Sequence, residues 1–234
     1  MKPKAIFNWS SGKDSALALY KTLKEDKFEI TSLLTSINKE FQRISMHGVH
    51  VSLLEKQAAS LDFKLIKMEL PQEPSMEEYS EIMNKTMTEI KSQGVTHSIF
   101  GDIFLEDLRK YREDQLKTIG IEAVFPLWKK NTSDLIREFL DLGFKTIVTC
   151  VNETYLDKSF AGRIIDENFI KDLPKNVDPC GENGEFHTFT FDGPIFKNPV
   201  HFKIGEIVKK TYPKPKSDVL DVDGEYVFWF CDLI

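Results

Sequence analysis

The sequence predicts an α/β protein with a doubly wound parallel sheet, followed by a smaller C-terminal α+β domain. Over residues 1–126, short apolar runs alternate with amphipathic stretches of helical length. Strands that alternate with such helices imply right-handed crossovers and a parallel sheet covered on both faces. Beyond Pro126 the chain changes to β-like segments separated by turn formers, so the predicted domains span residues 1–126 and 127–234.

The elements of the first domain follow from the spacing of apolar residues and from helix capping signals. The predicted strands cover residues 4–9, 29–36, 64–69, 96–100 and 121–125. The predicted helices cover residues 14–25, 49–61, 75–92 and 103–118. Pro74 and Ser75 open the third of these helices, as helix-starting residues commonly do.

The second domain begins with a helix at 131–142, capped by Asn131 or Thr132 and stopped by Gly143. A strand follows at 144–150, and the segment around Asp166 predicts the start of a further helix. Turn formers then concentrate at 172–184. The remaining β segments are predicted at 186–191, 200–210 and 225–231.

Composition narrows the classes of function. The net charge is −6 and no stretch is rich in Lys and Arg, which argues against a dedicated nucleic-acid partner. The cysteines Cys150, Cys180 and Cys231 are scattered singly without a CxxC pair, so a zinc site, an iron–sulfur cluster or a disulfide framework has little support. No run approaches the roughly 20 apolar residues that span a bilayer. The sequence therefore predicts a cytoplasmic protein with no membrane partner.

A short motif between the first strand and the first helix is the strongest local signal. It reads Trp9-Ser10-Ser11-Gly12-Lys13-Asp14-Ser15 and lies at the carboxyl end of a parallel strand, where open α/β sheets bind ligands. The N–H groups and dipole of a helix N-terminus favour phosphate oxygens, and Lys13 adds a positive charge. The alternative is a serine-rich helix cap in which Ser10 or Ser11 caps the helix.

The motif is not a Walker A loop, because Phe7 stands where that pattern needs a glycine. Ser10–Ser15 (SSGKDS) instead resembles the SGGKDS signature of the PP-loop ATP pyrophosphatases, with Ser11 in place of a glycine. That substitution assumes that the φ angle at residue 11 need not be positive. The resemblance implies a HUP-type fold, similar to the adenine nucleotide α-hydrolases, whose loop holds the pyrophosphate that leaves when ATP is cleaved between its α and β phosphates.

A second signature indicates which family within this superfamily the chain resembles. Residues 178–188 (DPCGENGEFHT) resemble the C-terminal signature of the diphthine–ammonia ligase family, which reads close to EGGEYET. Segments 100–104, 126–128, 142–144 and 162–166 match that family in the same order, so the resemblance runs from residue 5 to about 196. The chain departs from the ligases at Asn183 and His187, where they carry glycine and glutamate. The departure at His187 inverts the charge and donor pattern of the pocket.

The resemblance implies an ATP-dependent ligase that adenylates a carboxylate, releases pyrophosphate and then forms an amide with ammonia or an amine. Its partners would be a small-molecule or protein carboxylate and an amine donor, and its cofactors ATP and Mg²⁺. A homodimer is a weaker expectation. Two alternatives stay open: another PP-loop adenylating enzyme that modifies tRNA or a cofactor, and an ATP-binding sensor without turnover.

The resemblance also assigns residues to roles. The expected catalytic residues are Lys13, Asp14 and Ser15. The expected nucleotide-binding residues are Ser10, Ser11, Gly12, Lys13, Ser15, His47, Gly48, Gly101 and Asp102. The expected acceptor-binding residues are Glu182, Asn183, Glu185, His187, Arg109 and Arg163. Asp14 and Asp102 are the expected Mg²⁺ ligands.

Each of these roles has a structural alternative. Asp102 can instead cap a helix, and Arg109 can pair with Glu106 or Glu113 on a solvated helix face. Glu182 and Glu185 can belong to an exposed acidic turn. No base beside Cys180 is identifiable from the sequence, which favours a small turn residue over a nucleophile there.

Overall fold

A computed structural model describes residues 1–45, 47–213 and 225–234 and shows two sheets. The first sheet contains the strands β1 (Lys4–Asn8), β2 (Glu29–Asn38), β3 (Arg43–Ile44), β4 (Leu65–Leu70), β5 (Val95–Ile99) and β6 (Glu122–Val124). Its helices are α1 (Lys13–Glu25), α2 (Val51–Leu61), α3 (Met76–Ser92) and α4 (Glu106–Thr118). Ser75 caps α3, as predicted, and it forms a reciprocal capping box with Glu78.

The first sheet has the order of a doubly wound fold. Its parallel strands run β4-β2-β1-β5-β6, and β3 adds a short antiparallel pairing to the end of β2. Alternate residues of β1 face opposite sides: Phe7 packs in a core with α1 and α2, whereas Ile6 packs in a core with α3 and α4. The order of connection reverses between β1 and β5, and the loops after these two strands therefore border the switch point.

The second sheet is antiparallel and completes the predicted α+β part. Its elements are α5 (Thr132–Asp141), β7 (Lys145–Asn152), a 3₁₀ turn (Lys158–Phe160), α6 (Glu167–Asp172), β8 (Phe186–Asp192), β9 (Ile204–Pro213) and β10 (Glu225–Leu233). The strand order is β8-β7-β10-β9. Asn131 caps α5 and Asp166 caps α6. The fold class predicted from the sequence is confirmed.

Two boundaries and one strand differ most clearly from the predictions. Helix α4 begins at Glu106 and not at 103, because the chain after β5 stays non-helical until Leu105, which caps the helix. Strand β3 was missed because two residues carry no periodic signal. Strand β9 begins at Ile204 rather than at 200.

The core on the α1 and α2 side continues into the second sheet, since Phe7 and Leu17 belong to the same apolar cluster as Ile147 and Phe189. This packing brings the edge strand β8 against the start of α1. In the part of the chain that the structure describes, no helix has both the length and the apolar character to cross a bilayer.

Candidate active site

The loop after β1 lies at the switch point and leads into α1. Trp9 N–H donates to the Leu34 carbonyl at 2.8 Å, which extends β1 by one residue before the chain turns. Gly12 is the N-cap of α1 and provides no side-chain cap, so the alternative in which Ser10 or Ser11 caps the helix is wrong. Ser10 instead donates its hydroxyl to Ser15 Oγ at 3.1 Å across the turn.

Ser11 has a left-handed backbone, with φ of 72°. The assumption that residue 11 need not adopt a positive φ is therefore wrong: the loop bends as it would with a glycine, and serine adopts that bend at a cost of about 1–2 kcal/mol. The residue is fully buried, and its Oγ has no hydrogen-bond partner among the described residues. Its carbonyl oxygen accepts from Thr190 N–H at 2.9 Å.

Strand β8 and helix α2 hold this loop in place. Lys13 N–H donates to Thr188 Oγ at 3.0 Å. The buried Gln57 donates through Nε2 to the Ser11 carbonyl at 3.1 Å and to the Thr190 carbonyl at 2.5 Å. Sequence reasoning missed both Gln57 and Thr188. A signal existed for Gln57, since it is the polar member of an apolar stripe on α2.

Lys13 is 3% exposed and points toward the second sheet. Its ammonium group donates to both Asp14 oxygens, at 2.9 and 2.7 Å, and to the Cys180 carbonyl. The ring of Phe186 lies 5.4 Å from Nζ. Burial alone would lower the pKa of Lys13, but the nearby Asp14, Cys180 and Glu182 more than offset it and raise the pKa. A buried cation therefore lies between the loop and the turn that precedes β8.

Three carboxyl groups, those of Asp14, Asp102 and Glu182, interact with one another here, and two of them, Asp14 and Glu182, also interact with Lys13. Burial raises the pKa of Asp14 and of Asp102, and Asp14 raises that of Asp102 further. Burial, followed by the charge of Asp14, raises the pKa of Glu182. The three groups lie close enough to repel one another when ionised.

Asp14 and Asp102 have part of the donor chemistry of a magnesium site. Among the residues that the structure describes, no three His, Cys, Asp or Glu side chains form a complete metal cage. Mg²⁺ commonly binds one or two carboxylates and completes its shell with phosphate oxygens and water. Asp14 and Asp102 are hard oxygen donors of the kind that this mode of binding uses, and in this structure they pair with Lys13 and Arg112.

Gly101 and Asp102 follow β5 and lie against the start of α1. A Cβ at Gly101 would lie 3.0 Å from Ser15 N, so a larger residue here would press on the backbone at the start of α1. Asp102 does not cap α4, which overturns that alternative. Its carboxylate meets Arg112 instead, with Asp102 Oδ2 3.1 Å from Nε.

The turn before β8 is built around Glu185, which is fully buried. Its carboxylate accepts from the N–H groups of Asp178 and Asn183 at 2.9 and 2.8 Å, and from Asn183 Nδ2 at 3.0 Å. The alternative of an exposed acidic turn is therefore wrong for Glu185. The side chains of Asn183 and Glu185 thus stabilise the turn that contains Glu182.

Two histidines lie over the loop. The rings of His47 and His187 are 4.7 Å apart, and His47 Cε1 would be 2.9 Å from a Cβ at Gly12. Burial lowers the pKa of His47 to about 4. Burial, with His47 and Lys13, lowers the pKa of His187 to about 3. Both imidazoles are therefore neutral at pH 7. Gly48, beside them, has φ of 70° and packs against Phe230.

Arg109 and Arg163, two of the expected acceptor-binding residues, pair with carboxylates outside the loop and the turn before β8. Arg109 Nε lies 2.7 Å from Glu113, and its guanidinium stacks on Phe125 and Trp128. This is the solvated pairing that was the alternative for Arg109. Arg163 pairs with Asp172 at 2.7 Å and lies over Phe160 and Phe169, bracing α6.

Cys180 behaves as a turn residue. It is buried, burial raises the pKa of its thiol, and Sγ lies 3.4 Å from the Thr132 carbonyl. A raised pKa disfavours the thiolate that a nucleophile requires. The interpretation of Cys180 as a small turn residue is supported.

The strand order and the serine–glycine loop at the switch point place the chain among the doubly wound α/β proteins. Family models show which of these it is. The diphthamide synthase N-terminal domain matches residues 2–123, and the diphthamide synthase C-terminal domain matches residues 131–214. The chain belongs to the diphthamide synthase family.

Curated relatives carry the name diphthine–ammonia ligase. The human protein is 30% identical over 125 residues, which cover 51% of this chain and 47% of the relative. The mouse protein is 33% identical over 110 residues, covering 44% and 41%. The Schizosaccharomyces pombe protein is 29% identical over 118 residues, covering 47% and 20%. The matched region thus spans less than half the length of each of these relatives.

A solved structure also resembles the chain. The U34-tRNA thiolase NcsA of Methanococcus maripaludis superimposes with a TM-score of 0.39 and 13% identity, over 61% of this chain and 58% of that one.

Proposed function

We propose that this protein is an ATP-dependent ligase. In this scheme it adenylates a carboxylate, releases pyrophosphate and joins the activated acyl group to ammonia or an amine. ATP is its substrate and Mg²⁺ its metal. Membership of a family whose curated relatives are named diphthine–ammonia ligases supports the reaction class. The Asn183 and His187 departures leave the acceptor's identity to be found by experiment.

One observation supports the proposal most strongly. At the switch point of the sheet, the buried Lys13 lies in the first turn of α1, close to carboxyl groups. A helix N-terminus with a lysine favours the negative charge of a phosphate. Carboxylates beside it suit the divalent cation that accompanies a nucleotide. The same arrangement would be costly if it served only the fold, because burying repelling carboxyl groups opposes stability.

In the first step an oxygen of the acceptor carboxylate attacks the α phosphorus, and the bond from that phosphorus to the bridging oxygen breaks. Pyrophosphate leaves. Lys13 and the N–H groups of α1 stabilise the charge that develops on it, with the hydroxyls of Ser10 and Ser15 beside them. Mg²⁺, held by Asp14 and Asp102, would neutralise phosphate charge when bound. His47 and Gly48 border the loop and bind the nucleotide in this scheme.

In the second step the nitrogen of ammonia attacks the acyl carbon of the adenylate. The bond from that carbon to the AMP oxygen breaks, AMP leaves, and the nitrogen loses a proton to solvent. Positioning supplies most of the rate, because both partners must be held in attack geometry and shielded from water. Glu182 and His187, from the turn and β8, face this space.

ATP binding requires a local change. Lys13 now bonds to the Cys180 carbonyl, and the turn therefore lies where phosphates would enter. In the proposed complex the phosphates replace that carbonyl as the partner of Lys13.

The test is product analysis by phosphorus NMR. Protein, ATP, Mg²⁺ and ammonium chloride are incubated with filtered metabolites or with protein fractions of a cell extract as the acceptor source. We expect AMP and pyrophosphate, and a rate at least about 100-fold lower in Lys13→Ala, as for the loss of one charge-stabilising donor. Lys24→Ala, at the exposed end of the same helix, is the matched control. ADP and phosphate as products, or an unchanged rate in Lys13→Ala, would refute the proposal.

A further inference from the structure

Gln57 is a polar residue in the apolar stripe of α2. Its side chain is fully buried, and Leu53, Leu54, Ala58 and Leu61 are its neighbours on the buried face of that helix. A leucine would complete the stripe, whereas a buried amide opposes folding unless its hydrogen bonds are made. The partners of the Gln57 amide therefore show what this side chain does.

The Gln57 amide has one orientation. Its Oε1 accepts from the indole N–H of Trp9 at 2.9 Å. An indole N–H can only donate, so the oxygen of the amide, and not its nitrogen, must face Trp9. The amino group then donates to the carbonyls of Ser11 and Thr190, at 3.1 and 2.5 Å. One of these carbonyls belongs to the loop after β1 and the other to β8.

These hydrogen bonds join parts of the chain that are far apart in sequence. Gln57 lies 46 residues from Ser11 and 133 residues from Thr190. Thr190 N–H donates to the same Ser11 carbonyl at 2.9 Å. Two donors, one from α2 and one from β8, therefore fix a single carbonyl of the loop.

The peptide between Ser11 and Gly12 carries this constraint across the loop. The peptide is planar and trans, so its N–H points away from its carbonyl. Holding the Ser11 carbonyl against α2 and β8 therefore turns the Gly12 N–H to the opposite side of the loop. Among the described residues this N–H makes a long contact, 3.4 Å to Ser10 Oγ, which an anion can replace.

We propose that Gln57 is a positioning residue for the diphosphate: it holds the Ser11 carbonyl so that the bent loop presents the Gly12 N–H to a phosphate oxygen. The inference rests on the proposed function, because it requires the loop to bind the diphosphate end of a nucleotide. Gln57 does not itself contact the ligand. Without its donor, Ser11 can relax from a left-handed φ of 72°, which is strained for a residue with a Cβ, and the Gly12 N–H turns with it.

Calorimetric titration with inorganic pyrophosphate and Mg²⁺ tests the assignment. Gln57→Met keeps an unbranched side chain but has no amide. We expect it to bind pyrophosphate at least about 10-fold more weakly than the wild type does, as for the loss of buried hydrogen bonds. Ala58→Gly, which weakens the same helix and leaves the Gln57 side chain unchanged, is the matched control and should bind as the wild type does.

A second variant guards against misfolding of Gln57→Met, in which the Trp9 indole has lost its acceptor. Trp9→Phe combined with Gln57→Met removes donor and acceptor together, which costs less stability than leaving one of them unpaired. This pair should show the same loss of pyrophosphate binding as Gln57→Met. Urea unfolding establishes that each variant is folded at the temperature of the titration.

Ser11→Gly provides a readout that a purely structural role would not change. Glycine adopts a positive φ without strain, so the bend depends less on Gln57 when residue 11 is glycine. We expect Gln57→Met to weaken pyrophosphate binding at least about 10-fold with Ser11 present, and at most about 3-fold in the Ser11→Gly background. If Gln57 served only the stability of the fold, the two losses would be equal.

Three results would overturn the inference: no pyrophosphate binding by the wild type, binding of wild-type strength in both Gln57→Met proteins, or equal losses in the two backgrounds. Its failure is distinct from that of the ligase proposal. Formation of AMP and pyrophosphate from ATP, with pyrophosphate binding that does not depend on Gln57, would refute this inference alone. Binding that depends on Gln57 as expected, without those products, would refute the ligase and retain the role of Gln57.

Discussion

Ser11 stands where the family motif has a glycine, yet the loop keeps a left-handed backbone at this position. The loop holds a left-handed φ of 72° at this position although serine has a Cβ. The bend is enforced by neighbours, since Thr190 and Gln57 both donate to the Ser11 carbonyl. A loop that keeps a strained residue in place because its surroundings determine it is typical of functional sites.

Replacing this residue with glycine should therefore stabilise the fold. In Ser11→Gly the relief of backbone strain, about 1–2 kcal/mol, outweighs the extra unfolded-state entropy of glycine, about 0.5–1 kcal/mol. We expect the free energy of unfolding in urea to rise by about 1 kcal/mol. Ser11→Ala keeps the strain and removes only the unpartnered hydroxyl, so it separates the two effects. A less stable Ser11→Gly would show that the hydroxyl has a partner that matters more than the strain.

At the scale of elements, periodicity predicted most of what is observed. Helices α1, α2, α3 and α5 lie within two residues of their predicted bounds. Helices α1, α2 and α5 each bury an apolar stripe, and α3 begins at the predicted cap Ser75. The start of α4 was placed too early, because Asp102 has the sequence character of a cap but its carboxylate pairs with Arg112. A competing partner contributed by tertiary structure overrode the local signal.

Strand β8 provides most of the contacts in the candidate site that the sequence did not predict. It brings Thr188 to Lys13 across 175 residues of sequence, and it places His187 on His47. Contacts between residues so far apart leave no local pattern. The resemblance singled out His187 by its departure from the family signature. Thr188 matches the last residue of that signature, but the match does not indicate a contact with Lys13.

The burial of His187 predicts a pH dependence of stability. Its pKa is lowered from 6.5 to about 3 in the folded state, so between these values the unfolded state binds more protons and stability falls as the pH falls. Urea unfolding of the wild-type protein should lose about 1–2 kcal/mol more between pH 7 and pH 5 than unfolding of His187→Gln does.

The comparison with His187→Gln is needed because Asp14, Asp102 and Glu182 act with the opposite sign. Their pKa values are raised in the folded state, so their contribution falls as the pH rises. Their contribution is largely shared by the two proteins and drops out of the difference. Equal pH slopes for the wild type and His187→Gln would mean that this imidazole is charged or solvated in the folded protein.

At the scale of the whole molecule, the loop after β1 lies between the doubly wound sheet and the antiparallel sheet. Alternation of strands and helices predicted the first sheet, and the resemblance assigned residues of the loop and of the turn before β8 to the candidate site. The sequence could not show that the turn closes on Lys13, since that contact depends on how the second sheet packs on α1 and α2. The predicted boundary near residue 126 stays a prediction, because one apolar core runs through both parts.

The central claim is that the loop and Lys13 hold the diphosphate end of a nucleotide. Calorimetric titration with inorganic pyrophosphate in the presence of Mg²⁺ tests it most directly, because the probe carries no nucleoside. We expect pyrophosphate to bind the wild-type protein and Lys24→Ala alike, to compete with ATP, and to bind Lys13→Ala at least about 10-fold more weakly, as the loss of a charged hydrogen bond predicts. Pyrophosphate binding of equal strength in Lys13→Ala would contradict the account.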